Sequence, residues 1–157
     1  MRKLKIYLDT SVISHLKHED ALDKMTDTLK LWEEIKHNKY DVITSQITIE
    51  EIERCREPKQ SILYEFLSEI NFTIIEITEE IEQLANQIIS QGILTPKSYD
   101  DCQHIATAVI SECDIIVSWN FKHMVNIKTI NGIRAISLLS GYRSIDIYTP
   151  STLIEGD

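Results

Sequence analysis

Four segments of this sequence place oxygen-bearing side chains where they could share one site. The segments contain Asp9, Glu51 with its neighbour Glu50, Asp101, and Asn120. Carboxylate and amide oxygens are hard ligands that favour Mg²⁺ or Mn²⁺, and no Cys-x-x-Cys or paired-His spacing suggests zinc. A divalent ion held by such residues could activate water and neutralise a phosphodiester under attack. The four segments together indicate metal-dependent phosphodiester chemistry better than any one of them alone.

The elements around these residues alternate between strands and helices. Strand composition is predicted at residues 4–8, 42–44, 72–77, 115–117 and, as an edge strand, 145–147. Helical periodicity lies between them, which predicts an α/β fold with a parallel sheet, because parallel neighbours need helical crossovers. In such sheets ligands bind beyond the carboxyl ends of the strands. Asp9 and the segment 118–120 each follow a predicted strand, so both should face that edge.

Two local patterns make further structural predictions. Leu22, Met25, Leu29 and Trp32 recur at steps of three and four, which predicts a helix over about residues 20–37 with these side chains in the core. After residues 127–130, the pair Asn131-Gly132 is typical of a turn.

The composition predicts one domain over residues 1–150, followed by a C-terminal tail at 151–157. The chain has 157 residues and 43% hydrophobic content, enough to bury a core. No apolar stretch approaches the roughly 20 residues needed to cross a bilayer, and the N-terminus lacks the apolar region of a signal peptide. We therefore expect a cytoplasmic protein with no membrane contact. Three widely spaced cysteines support no disulfide framework.

The formal net charge of −9 argues against a broad basic surface for nucleic acid. Binding to a polyanion would have to be local. Divalent cations held among clustered carboxylates could reverse the sign of the electrostatic field where a phosphate binds.

Four blocks of the sequence resemble those of PIN domains and occur in the same order. The blocks are residues 6–11, 48–51, 101–108 and 116–123. The resemblance implies a three-layer α/β/α sandwich with a central parallel sheet of about four or five strands. It is closest to the VapC-like toxins of prokaryotic toxin–antitoxin systems, which are small Mg²⁺-dependent endoribonucleases. It therefore implies an RNA substrate, a small antitoxin partner and a homodimer.

Within these blocks, Asp9, Glu51 and Asp101 match the metal-site acids of the family. The fourth block differs, because Asn120 stands where many members have an acid and His123 stands where others have one. An amide oxygen can bind a metal or its water but adds no charge. We count Asn120 among the catalytic residues. The alternative is a catalytically weakened PIN-fold module that binds RNA or protein.

Each site residue also has a structural interpretation. Asp9 could cap the helix that follows it, and Asn120 could be a turn residue. Thr48-x-x-Glu51 and Ser98-x-x-Asp101 both have the spacing of a capping box.

Two neighbouring positions bear on the alternatives. His104, three residues after Asp101, is interpreted as a packed histidine behind the site rather than a ligand. A phosphatase of the haloacid-dehalogenase type is disfavoured, because its Asp-x-Asp would need an acid where Ser11 stands.

Overall fold

Five parallel strands form the central sheet of the computed structural model, which describes residues 2–155. The strands are β1 (Leu4–Leu8), β2 (Tyr40–Ser45), β3 (Thr73–Ile75), β4 (Ile115–Val117) and β5 (Asp146–Tyr148). Their order across the sheet is β3-β2-β1-β4-β5. The chain builds outward from β1 on one side and then crosses to β4 on the other. The carboxyl ends of β1 and β4 therefore flank the switch point at which ligands bind in open α/β sheets.

Helices cover both faces of the sheet, which confirms the predicted three-layer α/β/α sandwich. They are α1 (Thr10–Ser14), α2 (Leu22–Lys36), α3 (Gln46–Glu53), α4 (Lys59–Leu67), α5 (Glu79–Ser90), α6 (Tyr99–Ile110), α7 (Ile127–Ser140) and α8 (Pro150–Glu155), with 3₁₀ turns at His15–Lys17, Glu19–Ala21 and Pro96–Ser98. Alternation along β1 divides the core, since successive side chains point to opposite faces. Tyr7 packs with α5, α6 and α7, whereas Ile6 and Leu8 pack with α1 to α4 and α8.

The predicted turn at Asn131-Gly132 is wrong, because both residues lie inside α7. Asn126 begins this helix by accepting a hydrogen bond from the backbone N–H of Thr129 at 2.9 Å. Gly132 is needed for packing rather than for a turn. A Cβ atom at this position would stand 2.6 Å from Cγ1 of Ile93. The glycine allows α7 to lie directly against the segment that follows α5.

The buried stripe of α2 is shifted along the helix from the predicted one. Leu22 is 60% exposed, and the buried side chains of the helix are those of Thr28, Leu31, Trp32 and Ile35, of which Trp32 belongs to the predicted set. Leu22 is the first residue of the helix, where the chain has only just left a 3₁₀ turn. Of the predicted core residues, Trp32 is buried and Leu29 packs against the same core while partly buried.

The end of the described chain packs on the domain. Helix α8 overlaps the segment predicted as a tail, and its Leu153 is buried in the core layer of α2. Positions 156–157 of that predicted tail lie outside the described residues. Among the helices described, none combines the length and apolar character needed to cross a membrane.

Candidate active site

The four predicted site residues line one cleft of about 280 Å³ beside the carboxyl ends of β1 and β4. Its walls are formed by Asp9, Thr10, Ser11, Ser14, Glu51, Asp101, His104 and Asn120. Asp9 follows β1 and Asn120 lies three residues after β4, while Glu51 and Asp101 come from α3 and α6. Four separate elements thus bring polar side chains to the predicted edge of the sheet.

Asp9 caps α1 and lines the cleft at the same time. Its side chain is almost completely buried. Its Oδ1 accepts hydrogen bonds from Ser11 Oγ at 2.5 Å and the Val12 backbone N–H at 3.3 Å, and its Oδ2 accepts one from Ser118 Oγ at 2.7 Å. Burial raises the pKa of Asp9, although the charge of His104 and these hydrogen bonds act in the opposite direction. The capping interpretation and the cleft interpretation are therefore compatible.

Glu51 is held by a hydrogen-bonded chain that begins in the sheet. Tyr7 donates its hydroxyl hydrogen to Ser45 Oγ at 2.8 Å, and its oxygen lies 2.5 Å from Nδ1 of His104. The Nε2 of His104 lies 2.6 Å from Oε1 of Glu51, which also accepts from Thr10 Oγ1 at 3.0 Å. When His104 donates from both ring nitrogens, to Tyr7 and to Glu51, it is in the imidazolium form.

The charges of His104 and Glu51 each stabilise the ionised form of the other side chain. Burial alone would lower the pKa of His104, but its hydrogen bond to Glu51 and the charges of Asp9, Glu51 and Asp101 raise it. Burial alone would raise the pKa of Glu51, but its contacts with His104 and Thr10 lower it. The capping-box interpretation of Glu51 is wrong, because α3 begins at Gln46 and Thr48 lies inside it. Glu51 faces the cleft rather than the start of its own helix.

Asp101 is paired with the histidine of the fourth block. His123 Nδ1 lies 2.9 Å from Oδ2 of Asp101, and its Nε2 lies 3.4 Å from Ser98 Oγ. Burial raises the pKa of Asp101, partly offset by the nearby His104 and His123. Ser98 forms no capping hydrogen bond with its side chain, so the Ser98-x-x-Asp101 capping interpretation is wrong.

Asn120 has the turn role that its residue type allows. Its Oδ1 accepts a hydrogen bond from the backbone N–H of His123 at 2.9 Å. This bond fixes the loop that carries His123 to Asp101. Asn120 therefore borders the cleft and also shapes the loop behind it.

The donor set fits a hard divalent cation, although it is not assembled in advance. Within residues 2–155, no three His, Cys, Asp or Glu side chains stand together as a ready-made metal site. Each acid is instead held by hydrogen-bond donors of the protein, while Glu51 Oε2 and Asp101 Oδ1 accept no hydrogen bond from the described residues. Burial raises the pKa of the Cys102 thiol to about 12, so it offers no thiolate. The available ligands are oxygen atoms, which suit Mg²⁺ or Mn²⁺.

The sequence interpretation missed the Tyr7 link and the His123 pairing. Tyr7 stands two residues before Asp9, and a period of two puts both on one side of an extended segment. That spacing was a usable signal for Tyr7. The contact between His123 and Asp101 joins residues 22 apart through a loop, and no local spacing predicts it.

The comparisons with known proteins agree with this architecture. The family model of the PIN domain matches residues 6–122. VapBC2 from Rickettsia felis, solved bound to a DNA fragment from its promoter, is 15% identical with a TM-score of 0.58, covering 93% of this chain and 98% of that one. VapC20 of Mycobacterium tuberculosis, a toxin that cleaves the sarcin–ricin loop, is 14% identical with a TM-score of 0.59, covering 90% and 98%. At these identities the solved structures establish the fold. No curated protein matches the sequence.

Proposed function

The chain belongs to the PIN domain family, and on this premise we propose that it is a metal-dependent endoribonuclease acting through Asp9, Glu51, Asp101 and Asn120. One observation carries the proposal. Three carboxylates from three separate elements, with Asn120 beside them, line one cleft at the switch point of the sheet. Structural caps alone would not need to meet at a common cavity.

Asp9, Glu51 and Asp101 would hold Mg²⁺ or Mn²⁺. Such an ion, when bound, supplies an activated water and neutralises charge on the phosphodiester. The chain's own residues prepare the ligands. Ser11 and Ser118 orient Asp9, and His104 orients Glu51.

Asp101 is oriented in a comparable way by His123, which acts as a positioning residue. Fixed ligands lose less freedom when an ion and a phosphate arrive, which is how such surrounding hydrogen bonds raise metal affinity and activity.

RNA as the substrate is supported by the resemblance to PIN-domain ribonucleases and by the cleavage of the sarcin–ricin loop that is stated for VapC20. The fold likeness to VapBC2 and VapC20 spans nearly the whole of each chain, which supports the role of the toxin in a toxin–antitoxin pair. The antitoxin partner, the homodimer and the cytoplasmic location stay predictions from the sequence.

A second candidate is a PIN-fold binding module with weakened catalysis. The fourth block favours it, because His123 stands in contact with Asp101 where an additional acid would be expected, and the Asn120 oxygen is engaged with the backbone. The two candidates differ in whether RNA is cleaved.

The test is RNA cleavage by the purified protein with Mg²⁺, with Mn²⁺ and with EDTA. We expect cleavage with either ion, none in chelator, and none by Asp101→Asn purified in the same way. Undiminished cleavage in EDTA would contradict the metal mechanism. Intact RNA under every metal condition would favour the binding module.

A further inference from the structure

A series of aromatic side chains borders the cleft. Ser14 and Asn120 line the cleft, and the next residue along the chain from each, His15 and Phe121, belongs to the series. We define the aromatic patch as His15, His18, Trp119 and Phe121. The ring centroids of His15 and His18 lie 4.5 Å apart, those of His15 and Trp119 5.9 Å, and those of Trp119 and Phe121 6.4 Å. The rings therefore form a continuous series of contacts beside the cleft, in which Trp119 is buried and Phe121 is exposed.

The patch is fixed relative to the candidate active site. Trp119 is buried, its indole N–H donates to Thr28 Oγ1 at 2.8 Å, and its backbone N–H donates to Ser11 Oγ at 2.9 Å. The same Ser11 hydroxyl binds Asp9. The ring of Phe121 lies beside that of Trp119, and Phe121 is half exposed. This exposed ring is one residue along the chain from Asn120, which lines the cleft, so it can contact a ligand that enters the cleft.

Positive charge accompanies the exposed ring. The Nζ of Lys24 lies 5.2 Å from the ring centroid of Phe121 and 5.7 Å from that of Trp119. Lys59 lines a neighbouring cleft with His18, beside the Lys17–Glu19 ion pair and Asp20. Within residues 2–155, neither Lys24 nor Lys59 forms a salt bridge. In a chain with a net charge of −9, Lys24 and Lys59 are cations outside these ion pairs, and they lie among Glu19, Asp20 and Asp23. Each can contact one phosphate of a bound strand.

We propose that the aromatic patch binds unpaired bases of the RNA strand whose phosphodiester enters the cleft, with a base stacked on Phe121 and a neighbouring phosphate at Lys24. This inference rests on the proposed function and extends it to the form of the substrate. Exposed aromatic rings beside cations are the means by which proteins bind single-stranded nucleic acid. In a duplex each base is stacked between its neighbours, so its faces are not available to an aromatic side chain. The patch therefore selects single strands, loops or bulges over continuous duplex.

Binding can be measured separately from cleavage. The probe is a short unstructured RNA of alternating C and A, labelled with fluorescein, and its duplex with the complementary strand. Fluorescence anisotropy is recorded in EDTA, because the proposed cleavage requires a divalent cation and the RNA then stays intact. The variants are Phe121→Ala, Phe121→Tyr and Lys24→Gln, and the control is Leu138→Ala, an equally apolar residue that is 82% exposed near the end of α7.

We expect Phe121→Ala to weaken binding of the single strand about tenfold, because a stacked base contributes free energy of that order. Phe121→Tyr keeps the ring and should bind within about twofold of the wild type, as should Leu138→Ala. Lys24→Gln should weaken binding and reduce the slope of log Kd against log salt by about 0.7. The duplex should bind more weakly and should not respond to Phe121→Ala.

Three results would overturn the proposal: no RNA binding by the wild type, equal affinity of the wild type and Phe121→Ala, or an equal loss with the duplex. Cleavage with Mn²⁺ separates this failure from that of the proposed function. Equal cleavage rates for the wild type and Phe121→Ala at low RNA concentration would contradict RNA binding by the aromatic patch and would support the proposed nuclease. RNA binding that depends on Phe121, without any cleavage, would support the aromatic patch and would contradict the proposed nuclease.

Discussion

The Nε2 atom of His104 lies 2.6 Å from Oε1 of Glu51, across 53 residues of sequence. His104 is 2% exposed, and its other ring nitrogen contacts Tyr7 of the central strand. Glu51 is therefore fixed from behind by the core of the protein while its second oxygen remains available toward the cleft. The spacing of Glu51 from Thr48 suggested a capping box, but the Glu51 side chain is positioned to bind a ligand in the cleft.

Glu51→Gln should abolish RNA cleavage and leave the fold almost unchanged. The amide can still accept from Thr10 and His104, but it loses the charge that a divalent cation requires. Since even residues behind a metal site change activity by about 10- to 100-fold, we expect a loss of at least about a hundredfold. The cleavage rate and the thermal midpoint should be measured together.

Glu50→Gln is the matched control on the same helix turn. Glu50 accepts a hydrogen bond from Gln46 at 3.2 Å and does not line the cleft. Its substitution should leave cleavage within about twofold, since surface changes away from a site have small effects. An inactive Glu50→Gln beside a fully active Glu51→Gln would move the assignment to Glu50.

His104→Gln should destabilise the protein in a pH-dependent way. The pKa of His104 is raised in the fold, so its contribution is complete below the unfolded value of about 6.5 and is lost as pH rises through the folded value. The pKa of Glu51 is lowered, so its contribution exists above about 4.3 and is lost as pH falls through the folded value. The free energy of unfolding should therefore fall by about 1–3 kcal/mol near pH 5.5 and by less at pH 8.5.

Urea unfolding at both pH values measures this difference, with His37→Gln as the control. His37 is exposed, and among the described residues its ring hydrogen-bonds only to the backbone oxygen of Glu33. Its substitution should change the unfolding free energy little at either pH. If His104→Gln lowered the free energy of unfolding equally at pH 5.5 and at pH 8.5, the contact between His104 and Glu51 would be an uncharged hydrogen bond.

Asp9→Asn should raise the thermal midpoint at neutral pH while abolishing cleavage. Burial raises the pKa of Asp9, so the folded state disfavours its charge. Stability is therefore lost as pH rises from the unfolded value of about 3.9 through the folded one, and the uncharged amide avoids that loss. Differential scanning calorimetry at pH 7 without metal tests it. A lower midpoint than the wild type would show that the hydrogen bonds of Asp9 outweigh its desolvation.

Local patterns predicted much of the fold. The strands at Leu4–Leu8 and Ile115–Val117 both have the predicted bounds. Both features depend on neighbouring residues, which a sequence displays directly. The helical position of Gly132 could not be found in this way, because it depends on Ile93, which reaches it only in the folded chain.

The candidate site likewise has features that the sequence predicts and features that depend on contacts in the folded chain. The topology of an α/β sheet predicts that residues after β1 and β4 meet, and Asp9 and Asn120 do line one cleft. The pairing of His123 with Asp101 and that of His104 with Glu51 depend on how α6 lies over the strands and loops. Such side-chain contacts between distant elements have no local signature in the sequence.

The proposed metal site is tested most directly by anomalous diffraction from crystals of the wild-type protein grown with Mn²⁺. We propose that Asp9, Glu51 and Asp101 together hold a divalent cation. We expect an anomalous peak in their cleft with carboxylate oxygens of these residues as ligands, and no such peak in Asp101→Asn crystals under the same conditions. A cleft without Mn²⁺ in the wild type, or an ion bound by other residues only, would contradict it.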